Sequence, residues 1–143
     1  MNRDKSMEDL LNALENDGNS SIMKLNNSKI KTIKNNILQN LQLSGETIKV
    51  YHKKLKNYRY CDEIPDIQIG YYCRWISLKN PEKLHLTNGG IIVDVLMFPD
   101  GLQIVCKNNR NMMMQIKFNE IAMFQKLSAQ EKVILSVLDY LDK

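Results

Sequence analysis

The sequence predicts an α+β fold: two or three N-terminal helices, a five-stranded antiparallel meander forming a small SH3-like barrel, and a C-terminal helix. Apolar residues recur at helical spacing as far as about residue 60, and again after Ser128. Between these regions, from 64 to 118, short segments with β-type patterning are separated by turn residues. At 143 residues the chain suits one small domain. A core of that size buries about two-thirds of the unfolded surface, so neither disulfides nor a metal is needed for folding.

Met7, Leu10, Leu11 and Leu14 fall at helical spacing behind Ser6, a capping residue, and predict a short amphipathic helix over 7–16. Such a helix is marginal alone, and its apolar stripe needs cover. Those four residues are therefore a candidate partner-binding face, satisfied by docking on the same chain or across a homo-oligomer. The polar runs "NDGNSS" and "NNS" read as a flexible linker, so 1–27 form one unit. From Ser28, the series Ile30, Ile33, Ile37, Leu38 and Leu41 predicts a helix ending near "LSG". After Ser44, Ile48, Tyr51, Leu55 and Tyr58 predict a second. Residues 28–60 are thus expected to be a basic helical pair, and 64–143 a barrel with its terminal helix.

Beyond "EIPD", strands are expected at 69–78, 83–87, 91–98, 102–107 and 112–118. Asn88-Gly89 is a strong hairpin signal, and "PDG" (99–101) and "NNRN" (108–111) are turns. Alternation puts Leu102, Ile104 and Cys106 on one face, with Gln103 and Lys107 opposite. Met114, Ile116 and Phe118 likewise share a face. Curling such a meander into a barrel hides its edges; an open sheet backed by helices is the alternative. Ser128 and Glu131 form a capping box ahead of a terminal helix faced by Val133, Ile134, Val137, Leu138 and Leu141.

The net charge of +4 is unevenly spread. Residues 24–60 hold nine basic residues against the single acid Glu46, whereas the first 23 residues and the stretch from 61 onward are both net acidic. Lysine side chains gathered on helices gain affinity for nucleic acid by displacing counterions from phosphates, without base contacts. Lys31, Lys34, Lys49, Lys53, Lys56 and Arg59 are the candidate phosphate ligands, with Tyr58, Tyr60 and Trp75 as candidate stacking groups. The expected function is non-enzymatic, phosphate-directed nucleic-acid binding. A plain solvated helix face is the competing reading of these lysines. In the other functional class, a protein–protein or virion-assembly module, the basic segment meets an acidic protein instead.

The stretch "GYYCRWISLKN" (70–80) places Tyr71, Cys73 and Trp75 on one strand face and Tyr72, Arg74 and Ile76 on the other. Bulk on both faces implies a strand covered on both sides, so core aromatics compete with a stacking platform. Cys61, Cys73 and Cys106 are an odd, widely spaced set without a C-x-x-C pair, and His52 and His85 are scattered. Neither a metal site nor a cysteine nucleophile is expected, nor any cofactor. "NGG" lacks phosphate-loop spacing. No apolar run is long enough to span a bilayer, and the acidic start lacks a signal peptide's apolar core, which places the expected protein inside a cell with reduced thiols.

The order of "GYYCRWISL", "LTNGGIIVDV", "IVCKNN" and "IKFNEIAMFQKLSAQE", with the Asn, Lys and Ile bias, resembles uncharacterised proteins of giant nucleocytoplasmic DNA viruses. The resemblance covers roughly residues 68–132 and contains no catalytic signature. It implies a viral protein acting in host cytoplasm or packaged in the virion. It carries over no functional residues, and the basic helices lie outside it.

Overall fold

A computed structural model describes residues 3–142 of the chain. Among these residues lie four helices: α1 (Arg3–Glu15), α2 (Asn27–Asn40), α3 (Gly45–Lys54) and α4 (Ala129–Leu141). The strands are β1 (Tyr58–Cys61), β2 (Tyr72–Ser77), β3 (Gly90–Phe98), β4 (Gly101–Lys107), β5 (Met113–Lys117) and β6 (Ile121–Lys126). Side chains cap three helix starts, at Ser44 and Ser128 as the sequence suggests and at Asn26, whereas Ser6, the expected cap of the first helix, lies within α1. Asn26 Oδ1 accepts from Lys29 N at 2.7 Å and Ser44 Oγ from Thr47 N at 3.2 Å. Ser128 and Glu131 close a reciprocal capping box on α4.

The strands form one antiparallel sheet in the order β1-β6-β2-β3-β4-β5. It has six strands, not the expected five, and is not closed into a barrel: β1 and β5 are its two edges. The open sheet backed by helices is what forms. Three local misreadings explain the difference. Tyr58 continues the helical spacing of Ile48, Tyr51 and Leu55 and is buried with them, yet the backbone turns into β1 first. The same burial is reached through a different backbone. Residues 121–126 carry no alternation because β6 is buried on both faces, and no turn dipeptide announces it. Residues 83–87, expected as a strand, make one isolated bridge, Leu86 to Ile76. Side chains complete that junction: Trp75 N donates to Thr87 Oγ1 (3.2 Å) and Leu86 N to the Tyr51 hydroxyl (3.1 Å).

Alternation inside the recognised strands holds. Cys73 and Trp75 join Cys61, Ile92, Leu102, Ile104, Cys106 and Met123 in one core. Tyr72 and Ile76 face the opposite way, where Leu38, Ile48, Tyr51 and Leu55 from α2 and α3 cover Ala122 and Phe124. Arg74 uses its stem to reach the Thr87 carbonyl, with Nε donating at 2.9 Å. A third cluster joins Ala13, Ile22, Ile30, Leu127, Ile134 and Leu135 and fixes α1 and α4 to the rest.

The N-terminal region departs from expectation twice. The supposed linker is folded, with Asp17–Lys24 forming a 3₁₀ helix that buries Ile22 and Asn19. Asn19 Nδ2 donates to Ala13 O at 2.7 Å, tying this helix to α1. Within the chain α1 packs on α4 through Ala13, not through the leucine stripe. Met7, Leu11 and Leu14 stay exposed (59, 52 and 45%), and Leu10 is half-buried. A small residue allows close helix approach, and the apolar stripe is left over.

Asn88-Gly89 is likewise not a hairpin between two strands. Gly89 sits at φ +78°, where it carries the chain past β2, and a Cβ there would lie 1.8 Å from the Cys73 carbonyl oxygen. Gly70 has a similar φ (+93°) with open space around it. The two glycines separate backbone strain from steric conflict. Gly70→Ala is expected to cost about 1–2 kcal/mol, the ordinary penalty for an L-residue in that region. Gly89→Ala is expected to cost clearly more, because backbone must move. Urea denaturation of both variants checks this; equal losses would remove the close-approach explanation.

Candidate nucleic-acid interface

Helix geometry gathers the lysines. On α2, Asn27, Lys31 and Lys34 recur at i, i+4 and i+7 and share one face. The end of α3 contributes His52 and Lys53, and the turn just after it contributes Lys56. These residues line a cleft of about 530 Å³. Ile30 and Leu127 supply apolar wall, Lys31, Lys34, Lys53 and Lys56 supply cations, and Asn27, Asn35 and His52 supply neutral hydrogen-bonding groups. Four of the six expected phosphate ligands thus meet at one concavity.

Lys34 lies deepest, with 5% of its surface exposed. Its Nζ donates to the Leu55 carbonyl at 2.8 Å, capping the negative end of α3. That bond uses one of three ammonium protons. Burial pushes the Lys34 pKa down from its ordinary value, and the neighbouring Lys31 charge adds to the effect. His52 hydrogen-bonds through Nε2 to Asn35 Oδ1 at 3.0 Å. Its pKa is lowered by burial first, then by the Lys34 and Lys31 charges. Burial is the larger cause of both shifts, and the mutual repulsion of Lys31, Lys34 and His52 adds to it.

Other expected ligands go elsewhere. Lys49 is exposed one turn earlier on α3, outside the cleft lining. Arg59 is not a surface ligand. Strand alternation in β1 turns it, with Cys61, under the loop 62–68. There it is 2% exposed, pairs with Asp66 at 2.5 Å and donates to Ser21 Oγ at 3.0 Å. The candidate stacking groups are structural as well. Tyr58 is buried in the core beneath α2 and α3, and burial pushes its phenol pKa up. Tyr60 is half-buried against Phe124, with ring centroids 5.7 Å apart, and burial raises its phenol too. Trp75, 7% exposed, belongs to the core on the other side of the sheet. Of the aromatics of 70–80, Trp75 is therefore a core residue, Tyr72 packs partly buried at the edge of the core under α2 and α3, and Tyr71 is half-buried.

Two cleft residues were invisible in the sequence. Leu127 comes from the β6–α4 junction, and Asn27 is placed by its bonds to Asp139 of α4, its backbone N donating at 2.8 Å and Nδ2 at 2.6 Å. A second cleft, of about 570 Å³, is lined by Asp62, Glu63 and Asp66 as well as Lys24, and its Arg59 is already neutralised. It is ill suited to a polyanion. Two of the three thiols are held protonated: burial pushes Cys61 up to about 12, and a hydrogen bond to Cys106 (Sγ–Sγ 3.4 Å) together with burial raises Cys73, while the same hydrogen bond lowers Cys106. Among the described residues, no three His, Cys, Asp or Glu cluster as metal ligands, and no helix is long and apolar enough to cross a membrane. No protein-family model, curated protein or solved structure matches the chain.

The depressed His52 pKa gives a direct readout of this field. Its neutral form is favoured in the folded protein, so it contributes stability above the ordinary value of about 6.5 that is lost as pH falls through the lowered folded value. In an NMR titration the His52 ring protons are expected to show a midpoint below 6.5. Lys31→Gln should move it part of the way back up. An unshifted midpoint, or no response to Lys31→Gln, would contradict the electrostatic description.

Proposed function

We propose that the chain is a non-enzymatic nucleic-acid-associated protein that holds phosphates with its α2–α3 basic segment. The convergence of Lys31, Lys34, Lys53 and Lys56 on one cleft carries this reading. A merely solvated helix face spreads its cations into water, where they repel least; here four are brought together, one of them buried, at a cost that a bound anion offsets. The Lys34 and Lys31 charges, which add to burial in lowering the His52 value, are in keeping with a gathered cationic cluster. Affinity would come from counterion release and be indifferent to base sequence. An acidic protein surface offers the same charge with less regular spacing and is the competing partner. The giant-virus resemblance adds that this association would take place in host cytoplasm or virion.

Duplex binding is expected to weaken steeply with salt, with a log–log slope of about 0.9 per phosphate neutralised. The triple variant Lys49→Glu, Lys53→Glu, Lys56→Glu should reduce affinity for all random sequences alike, since all three side chains are exposed and bear on charge, not folding. A filter-binding titration with random DNA and RNA measures this. Full retention by the triple variant would remove the proposal.

A second reading, a protein-interaction or assembly module, is favoured by the exposed Met7, Leu11 and Leu14 on α1 and by Met112 and Met113 near β5. Self-association through α1 would appear as a concentration-dependent mass in sedimentation equilibrium, abolished by Leu11→Glu. A chain that is monomeric at high concentration would exclude it.

A further inference from the structure

Building on the phosphate-binding reading, we propose that the α2–α3 cleft is an end-binding site: it takes a terminal phosphomonoester with its attached sugar, either at the end of a nucleic-acid strand or on a free nucleotide. Shape is the first observation. Phosphodiesters along a helix are read by convex or flat basic surfaces that meet several phosphates in succession, whereas here the lysines of two helices face one another across about 530 Å³. That space is of ligand-pocket size, and an internal phosphate would bring two flanking nucleotides with it. A chain end enters alone.

Charge is the second. A phosphodiester carries one negative charge, and a phosphomonoester between one and two near pH 7 with three acceptor oxygens. Lys31, Lys53 and Lys56 are exposed at the rim, and Lys34 keeps two ammonium protons after bonding Leu55 O at 2.8 Å. The higher-charge terminal group is the better match for such a cluster. The third observation is the lining that the lysines leave over. Ile30 and Leu127 give an apolar wall for a sugar or base face, and the Asn35 and His52 pair offers polar contacts beside it. A site for a bare inorganic anion would need no such wall.

The test uses the full chain and three short single-stranded oligonucleotides of one sequence with an internal fluorophore, bearing a 5′-phosphate, a 3′-phosphate or hydroxyls at both ends. By fluorescence anisotropy, a terminal phosphate at one end or both is expected to tighten binding roughly tenfold over the all-hydroxyl strand. Lys31→Gln and Lys53→Gln, both at exposed positions, should erase that advantage, so that with each variant the phosphorylated strands bind no tighter than the all-hydroxyl strand does with that same variant. Lys34→Met, which keeps the buried stem, should do the same if it remains folded by circular dichroism. Competition with a free nucleoside monophosphate separates the two sources. Displacement at a concentration similar to that of the strand assigns a free nucleotide, and displacement only in large excess assigns a strand end. Equal, salt-dependent binding of all three strands would overturn the end-binding site while leaving the general phosphate reading intact. Failure of every strand at low salt would overturn the nucleic-acid reading; the cleft proposal would then survive only if the monophosphate itself shifts the His52 ring resonances, and it falls if the monophosphate does not.

Discussion

The buried Arg59–Asp66 pair is the constraint on which the arrangement of the other parts depends. A guanidinium only 2% exposed is largely cut off from bulk solvent, so the elements around it must supply partners in fixed places. Asp66 does so from the loop 62–68, and Ser21 from the N-terminal 3₁₀ helix. Glu131 of α4, itself buried, is drawn into the same field: the Arg59 charge pulls its pKa down, though the larger effect of burial leaves it raised. One side chain on β1 thereby specifies where three separate segments sit. Such a pair adds little net stability over an apolar packing of the same volume. Its effect is to make misplacement costly, since any arrangement that separates the partners strands a charge.

The neighbouring Gln125 extends this logic with neutral groups. It is fully buried on β6, accepts from Gln68 N at 2.8 Å and donates to the Asp66 carbonyl at 3.1 Å. The loop 62–68 is thus laced to the sheet by both its backbone and its carboxylate. With β1 held in this way, the chain before it has little freedom. Tyr58 and Leu55 must lie over Phe124, and α3 and α2 follow them onto the sheet. Lys34 then reaches Leu55 O, and the cleft opens between the helices as a consequence.

The cleft also illustrates how a fold can concentrate charge that the sequence merely supplies. Coulomb repulsion among ammonium groups falls with separation and with solvent, and an unconstrained basic helix would let its lysines drift apart. Packing two helices face to face removes that option for Lys34 and brings His52 of α3 into the field that Lys34 and Lys31 share along α2. The Lys34–Leu55 bond offsets part of the repulsion by joining a cation to the carbonyl end of α3. What is left unneutralised faces the cleft.

The sequence by itself determined whatever depends on neighbours along the chain. The caps at Ser44 and Ser128, the buried spacing of Ile48, Tyr51 and Leu55, the inward set Leu102, Ile104 and Cys106, and the basic block 24–60 could all be read because each is a local period, turn chemistry or composition. Tertiary structure decided everything that turns on which surfaces meet. β6 has no alternation because it is covered on both sides, so its period was erased by the burial it causes. Tyr58 fits the helical stripe as well as the sheet, and only the pairing with β6 chose the strand. Ala13 packs where the leucines were expected because close approach to α4 favours the smaller side chain. The charge of Arg59 is visible in the sequence beside that of the lysines, while its burial is not. Leu127 entered the site from the far end of the chain. Charge and period are properties of a segment; burial and concavity belong to the contact between segments, and these separate the four lysines of the cleft from the other basic residues of the same block.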